Sequence, residues 1–243
     1  QKVLALRMQR ALLYKPGLTD EEKKKILGEL VTDENVAVAG PGVLQLIIDE
    51  AAKTGNDDLA RKAAEEMIKS FTETDYALDA RMYLAEKAFQ HKDYDTAVKH
   101  LNVIREVFAS NYEAGVALGM LGKIYMDQKK FDKAEECYKN ILSVKEWKGK
   151  LFPEALYGRA EAAIGMNKYD KACAYLERIY LMYANYKSWA VKAYITRAEC
   201  LKKMRMYKEA AETLEDMLKN SDFAETPEGK EAQKELDTLK KRI

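Results

Sequence analysis

Four alanines, Ala97, Ala134, Ala172 and Ala210, stand 37, 38 and 38 residues apart, and each sits in the same local pattern. An aromatic precedes each by three (Tyr94, Phe131, Tyr169, Tyr207), and a large apolar residue follows by four (Leu101, Tyr138, Leu176, Leu214). Stepping back 37 from Ala97 reaches Ala60, where Met67 and Phe71 match Ile104 and Phe108, so five units are present and the first lacks the aromatic. A second small residue stands twelve before each of the four alanines: Ala85, Gly122, Ala160 and Ala198. Apolar residues around these anchors recur at three and four, as in Ala172, Leu176, Ile179 and Tyr183, which is the period of a helix and not of a strand. A period of this length means a chain of supersecondary units, each too small to bury its own apolar face and each dependent on its neighbours.

The spacing of small residues has a steric cause. Two antiparallel helices joined by a short turn approach closely only where one or both carry small side chains. The aromatic just after the turn then fills the gap to the next pair. Composition agrees: Gly 12 and Pro 4 are few for 243 residues, and 15 Tyr suit helices packed through aromatics.

Small residue, twelve-residue step, alanine, with Tyr or Phe three before that alanine: this pattern resembles the tetratricopeptide repeat, over residues 42–220. The resemblance implies an all-α, right-handed superhelical solenoid of antiparallel helix pairs, acting as a protein-binding scaffold. Two departures stand out. The period is 37–38 where the family's usual length is 34, and the proline that often closes a repeat is missing. The longer period is similar to that of bacterial envelope and assembly proteins of this type, which tilts the expected location towards the periplasm or envelope over the cytoplasm.

The expected organisation is one continuous solenoid: a degenerate N-terminal helix pair at 1–41, five repeats near 42–77, 78–114, 115–152, 153–190 and 191–220, and a capping helix at 221–243. Val3 to Tyr14 reads as a helix ended by Lys15-Pro16-Gly17, and Thr19-Asp20-Glu21-Glu22 as a capping box, with Val31 to Pro41 as a loop. Thr226-Pro227-Glu228 opens the last helix, whose Ala232, Leu236, Leu239 and Ile243 form one apolar face. The N-terminal pair lacks a polar outer face and residue 1 is Gln, so further repeats are expected before it in the parent protein.

No catalytic set emerges. His91 and His100 have no nucleophile or carboxylate at a suggestive spacing and no third donor for a metal, and no phosphate-binding glycine loop is present. Cys137, Cys173 and Cys200 are widely spaced within helical patterns and read as buried thiols. An enzyme, a cofactor and a metal are therefore not expected. Lys plus Arg is 41 against 40 for Asp plus Glu, so the basic excess of a nucleic-acid binder is missing. No run approaches the roughly 18 apolar residues of a membrane span, so membrane insertion is not expected.

The expected partner is another protein or peptide. Family geometry points the residue after each small position into the concave groove: Asp49, Glu86, Lys123, Glu161 and Glu199. A turn earlier come Gln45, Met82, Tyr157 and Ile195, with Tyr83 and Met120 adjoining. Apolar steps, aromatic accents and an acidic edge suit a basic or amphipathic helix or an extended peptide. Trp147, Phe152, Tyr186 and Trp189 fall in expected loops between repeats, where an exposed aromatic can anchor a partner. The competing reading is a structural spacer or self-assembly segment of a longer repeat protein, which a concentration-dependent homo-oligomer would favour.

Overall fold

Five times in the chain a helix ends in the same left-handed turn. Gly55 (φ 75°), Lys92 (59°), Lys129 (57°), Asn167 (59°) and Arg205 (62°) all have positive φ. In each case the next amide reaches back five residues: Asn56 N donates to Ala51 O (2.8 Å), Asp93 N to Ala88 O (2.8 Å), Lys130 N to Tyr125 O (2.8 Å), Lys168 N to Ala163 O (2.8 Å) and Met206 N to Leu201 O (2.9 Å). This is the closure that satisfies the last carbonyls of one helix while reversing the chain into the next. Only the first of these five turns uses the glycine that such a turn prefers; the other four hold an L side chain in a conformation that favours Gly.

The computed structural model describes residues 1–243. All of its regular elements are helical: α1 Lys2–Leu12, α2 Asp20–Leu30, α3 Asp33–Val36, α4 Pro41–Lys53, α5 Asp57–Ser70, α6 Asp75–Gln90, α7 Tyr94–Val107, α8 Tyr112–Asp127, α9 Phe131–Ser143, α10 Leu151–Gly165, α11 Tyr169–Met182, α12 Lys187–Lys203, α13 Tyr207–Leu218, α14 Ser221–Ala224 and α15 Pro227–Lys240. Lys145–Trp147 form a 3₁₀ turn before α10. Two units are separable, 1–109 and 110–243.

In the first unit, α4 packs on α5 and α6 on α7. Leu44, Ile47, Ala60, Ala63, Ala64 and Met67 are fully buried there. The two leading helices are held less deeply: α1 buries only Leu6 and α2 only Leu30. One buried leucine supplies about 2 kcal/mol, so α1 depends on few contacts. Thr19 caps α2 reciprocally, its Oγ1 accepting from Glu22 N (3.2 Å) while Glu22 Oε2 accepts from Thr19 N (2.8 Å). The segment expected as a loop after α2 contains the short α3, because Asn35 is buried and its Nδ2 donates to the carbonyls of Glu29 (2.9 Å) and Leu30 (3.1 Å) at the end of α2.

In the second unit the pairs are α8 with α9, α10 with α11 and α12 with α13, and α15 lies on α13. Aromatic rings seat on glycines. The Tyr138 ring of α9 lies between Gly122 of α8 and Gly158 of α10; a Cβ at either glycine would come within 2.5 Å of the ring. Thr226 caps α15, accepting from Gly229 N (3.0 Å), and Ala232, Leu236 and Leu239 are buried as expected. Ile243 is not: the helix ends at Lys240, and Ile243 is left 64% exposed.

Candidate functional site

The first helices of the pairs, α4, α6, α8, α10 and α12, carry the residues that the repeat pattern singles out. In the first unit, Gln45 Nε2 donates to Asp49 Oδ1 (2.9 Å) along α4, and Met82 is half-buried beside exposed Glu86 on α6. Tyr83 is drawn elsewhere. Its ring lies 5.8 Å from the Lys87 ammonium, and it lines a cavity of about 440 Å³ bounded by α5, α6 and α7 that also receives His91 and His100. One helical step of 100° separates it from Met82, which turns it towards α5. Burial and the nearby Arg81 and Lys99 lower the pKa of His100, which favours the neutral ring.

In the second unit the candidates converge. On α8, Met120 and Lys123 line a small cleft of about 50 Å³ with Glu154 of α10, and Lys123 Nζ meets Glu154 Oε1 at 2.7 Å. On α10, the Tyr157 ring packs 5.4 Å from that of Trp189, and its hydroxyl shares a 3.1 Å hydrogen bond with Thr196 Oγ1 of α12. Lys192 lies over the Trp189 ring at 5.2 Å. Ile195 and Glu199, one turn apart on α12, border a cavity of about 360 Å³ closed by α13 and α15. Half-buried aromatics, a lysine and acids thus share one stretch of α10 and α12.

Two carboxyls of this set are perturbed alike. Glu86 and Glu161 are exposed, yet desolvation raises the pKa of both. At Glu161 burial prevails over the pull of Lys192 and Lys123. Neither residue forms a salt bridge, whereas the carboxyls whose pKa is lowered, Asp58 and Glu66 among them, are held by lysines, arginines or hydroxyls. A carboxylate partly stripped of water and held by no salt bridge carries a cost that is only partly compensated.

The four loop aromatics divide. Trp147 and Phe152 are buried, 5% and 8% exposed, and are not anchors for a partner. The indole sits on Gly115 of α8, where a Cβ would meet it at 3.0 Å, and Phe152 opens α10 with its ring edge-on to Tyr183 at 6.3 Å. Tyr186 is half-buried at the N-cap of α12, and Trp189 lies in the first turn of α12, in no loop at all.

Sequence spacing did not reveal several partners. Lys192 of α12 joins the Tyr157 region by lying over the Trp189 ring, and Glu154, three residues before Tyr157 on α10, by its ion pair with Lys123 of α8. Arg159 is a support beneath them: its Nη2 donates to Glu135 Oε1 (3.0 Å) and Tyr175 Oη (2.6 Å), and its guanidinium lies 4.1 Å from the Tyr175 ring. Burial alone would raise the Glu135 carboxyl, but donation from Arg159 and Tyr175 brings it below its ordinary value. Cys173 and Cys200, 27 residues apart in the chain, face each other between α11 and α12, and contact with Cys173 together with burial pushes the Cys200 thiol up.

Residues 44–151 match the family model of a tetratricopeptide repeat-like domain, and residues 120–188 match that of a tetratricopeptide repeat. The chain belongs to the tetratricopeptide-repeat family. Its fold is similar to that of the MamA protein (TM-score 0.61, 15% identity, 76% of this chain and 93% of that one). It is similar also to yeast Tom70 (TM-score 0.59, 16% identity, 98% of this chain and 46% of that one). A third match is a signal-transduction ATPase with a tetratricopeptide repeat sensor from Pyrococcus horikoshii (TM-score 0.63, 21% identity, 98% of this chain and 38% of that one). The chain therefore spans less than half the length of the last two. No curated protein sequence matches it significantly. The fold is an all-helical, tetratricopeptide-type solenoid, and folds of this family generally serve as scaffolds for protein–protein interaction. No helix is long and apolar enough to cross a membrane.

Proposed function

We propose that this chain is a non-catalytic scaffold that holds a cationic, partly apolar peptide segment of another protein on the first-helix face of its second unit. The observation that carries this is the Glu161 carboxyl: exposed, desolvated, unpaired, and set beside the half-buried Tyr157–Trp189 pair. A lysine or arginine arriving there would recover the solvation that the carboxylate has lost, and an apolar side chain would cover the two rings. Glu199, one turn past Ile195, extends the acidic edge, and Lys123 is already neutralised by Glu154. Glu86 offers a second acidic point in the first unit.

The test is fluorescence anisotropy with labelled 12-residue peptides in which Leu alternates either with Lys or with Glu. The Lys peptide binds and the Glu peptide does not. Trp189→Ala and Glu161→Gln each weaken binding about tenfold, the loss of one aromatic or charged anchor. Equal binding of both peptides, or unchanged affinity in both variants, would overturn the assignment.

A further inference from the structure

Two surfaces, one in each unit, complement one another. The first is α1. It buries Leu6 alone, and leaves Leu4 62%, Met8 63% and Leu12 47% exposed at i, i+4 and i+8, one apolar stripe on one face. Residues 1–19 contain no acid; of their four cations Arg10 packs on Gly42 of α4, and Lys2, Arg7 and Lys15 are exposed. The second is the cavity of about 360 Å³ between α12, α13 and α15, floored by Ile195, Leu214 and Ala232. Its rim carries Glu199, Glu228, Glu231 and Glu235; Lys202 pairs with Glu235, and the first three have no cation.

Length agrees as well as charge. At 1.5 Å per residue the apolar stripe from Leu4 to Leu12 runs about 12 Å, and the cleft walls, residues 195–202 of α12 and 228–235 of α15, run about 10 Å each. Two turns of helix fit two turns of groove, with Leu4, Met8 and Leu12 on the apolar floor and the exposed Lys2 and Arg7, about 100–120° to either side of that stripe, against the acidic rim.

We infer that α1 of one copy docks in the α12–α13–α15 cleft of a second copy, so that the protein associates head to tail. The contact is heterologous: the surface used on one copy differs from that used on the next, and unless the rotation closes a ring, the series stays open and grows. One short helix buries less than a standard stable interface, which places the dissociation constant on the order of 0.1–1 mM. The rim charges make the association sensitive to salt.

Sedimentation of the full 243-residue chain over a concentration series tests this. The mass rises steadily without a plateau at the dimer, and falls to that of the monomer in about 1 M salt, where the Debye length is roughly 3 Å. Leu4→Asp with Met8→Asp, on the exposed stripe, gives a monomer; so does Glu228→Lys with Glu231→Lys, on the exposed rim. Mixing the two variants is the decisive arm. Each retains the surface that the other has lost, so the mixture forms a one-to-one dimer and stops there. A wild-type chain that stays monomeric overturns the inference. So does a Glu228→Lys, Glu231→Lys variant that assembles like wild type, since α1 then pairs with α1 or another face. Glu161→Gln, outside the cleft, leaves self-association intact while weakening the Lys peptide, which separates failure of this contact from failure of the proposed peptide site.

Discussion

Residues 1–109 and 110–243 repeat the same helix–turn–helix unit but close their interiors by different means. The first unit fills its core with alanine and aliphatic side chains, Leu44, Ile47, Ala60 and Met67 among them. The second sets aromatic rings into glycine notches: Tyr138 between Gly122 and Gly158, and Trp147 on Gly115. A glycine inside a helix costs about 1 kcal/mol relative to alanine, so each notch is retained only where the ring it admits returns more. Aliphatic cores tolerate repacking, whereas a ring held on both sides admits one arrangement. The second unit, whose rings are held in this way, is also the unit where Tyr157, Glu161 and Trp189 converge.

The comparison is most easily broken at Trp147. Trp147→Ala is expected to cost about 3–5 kcal/mol, read as the loss of slow amide exchange in α8–α10; a cost below 1 kcal/mol would return the indole to the surface. Gly158→Ala forces a methyl into the Tyr138 ring and is expected to cost about 1–3 kcal/mol, with Tyr138→Leu relieving most of it. In the turns the sign reverses. Lys92→Gly or Arg205→Gly removes an L side chain from positive φ and is expected to stabilise its unit by about 0.5–1 kcal/mol, read as a raised melting temperature.

The smallest effect concerns pH. The folded-state carboxyl of Glu161 has a raised pKa, so the folded chain binds its proton more readily than the unfolded chain does. The resulting penalty is absent below the ordinary carboxylate value, where both states are protonated. It appears as pH rises from that value through the folded one, and persists above. Glu161→Gln should remove that slope and leave stability at neutral pH unchanged or slightly higher, within about 0.5 kcal/mol. Binding of the Lys peptide moves the opposite way, strengthening as pH rises and the carboxylate forms.

Repeat spacing made the helix pairs legible, because Ala97, Ala134, Ala172 and Ala210 mark contacts that recur with the chain's own period. The helix caps were legible too, since the Thr19–Glu22 capping box and the Thr226 N-cap act within one turn. Side-chain direction was less so. Tyr83 and Met82 are adjacent in sequence but face different neighbours, and Trp147 looks like a loop residue until Gly115, 32 positions earlier, opens the space beneath it. That glycine was the available signal: a costly residue mid-helix marks a close approach. The Arg159–Glu135–Tyr175 cluster and the facing Cys173 and Cys200 left no trace in spacing, because each joins helices from different repeats.

Hydrogen exchange of the whole chain with and without the Lys peptide tests the central claim most directly. Added protection confined to α10 and α12, residues 151–165 and 187–203, is the predicted result. Protection appearing instead at the α5–α7 cavity around Tyr83 and His100, or nowhere, would contradict it.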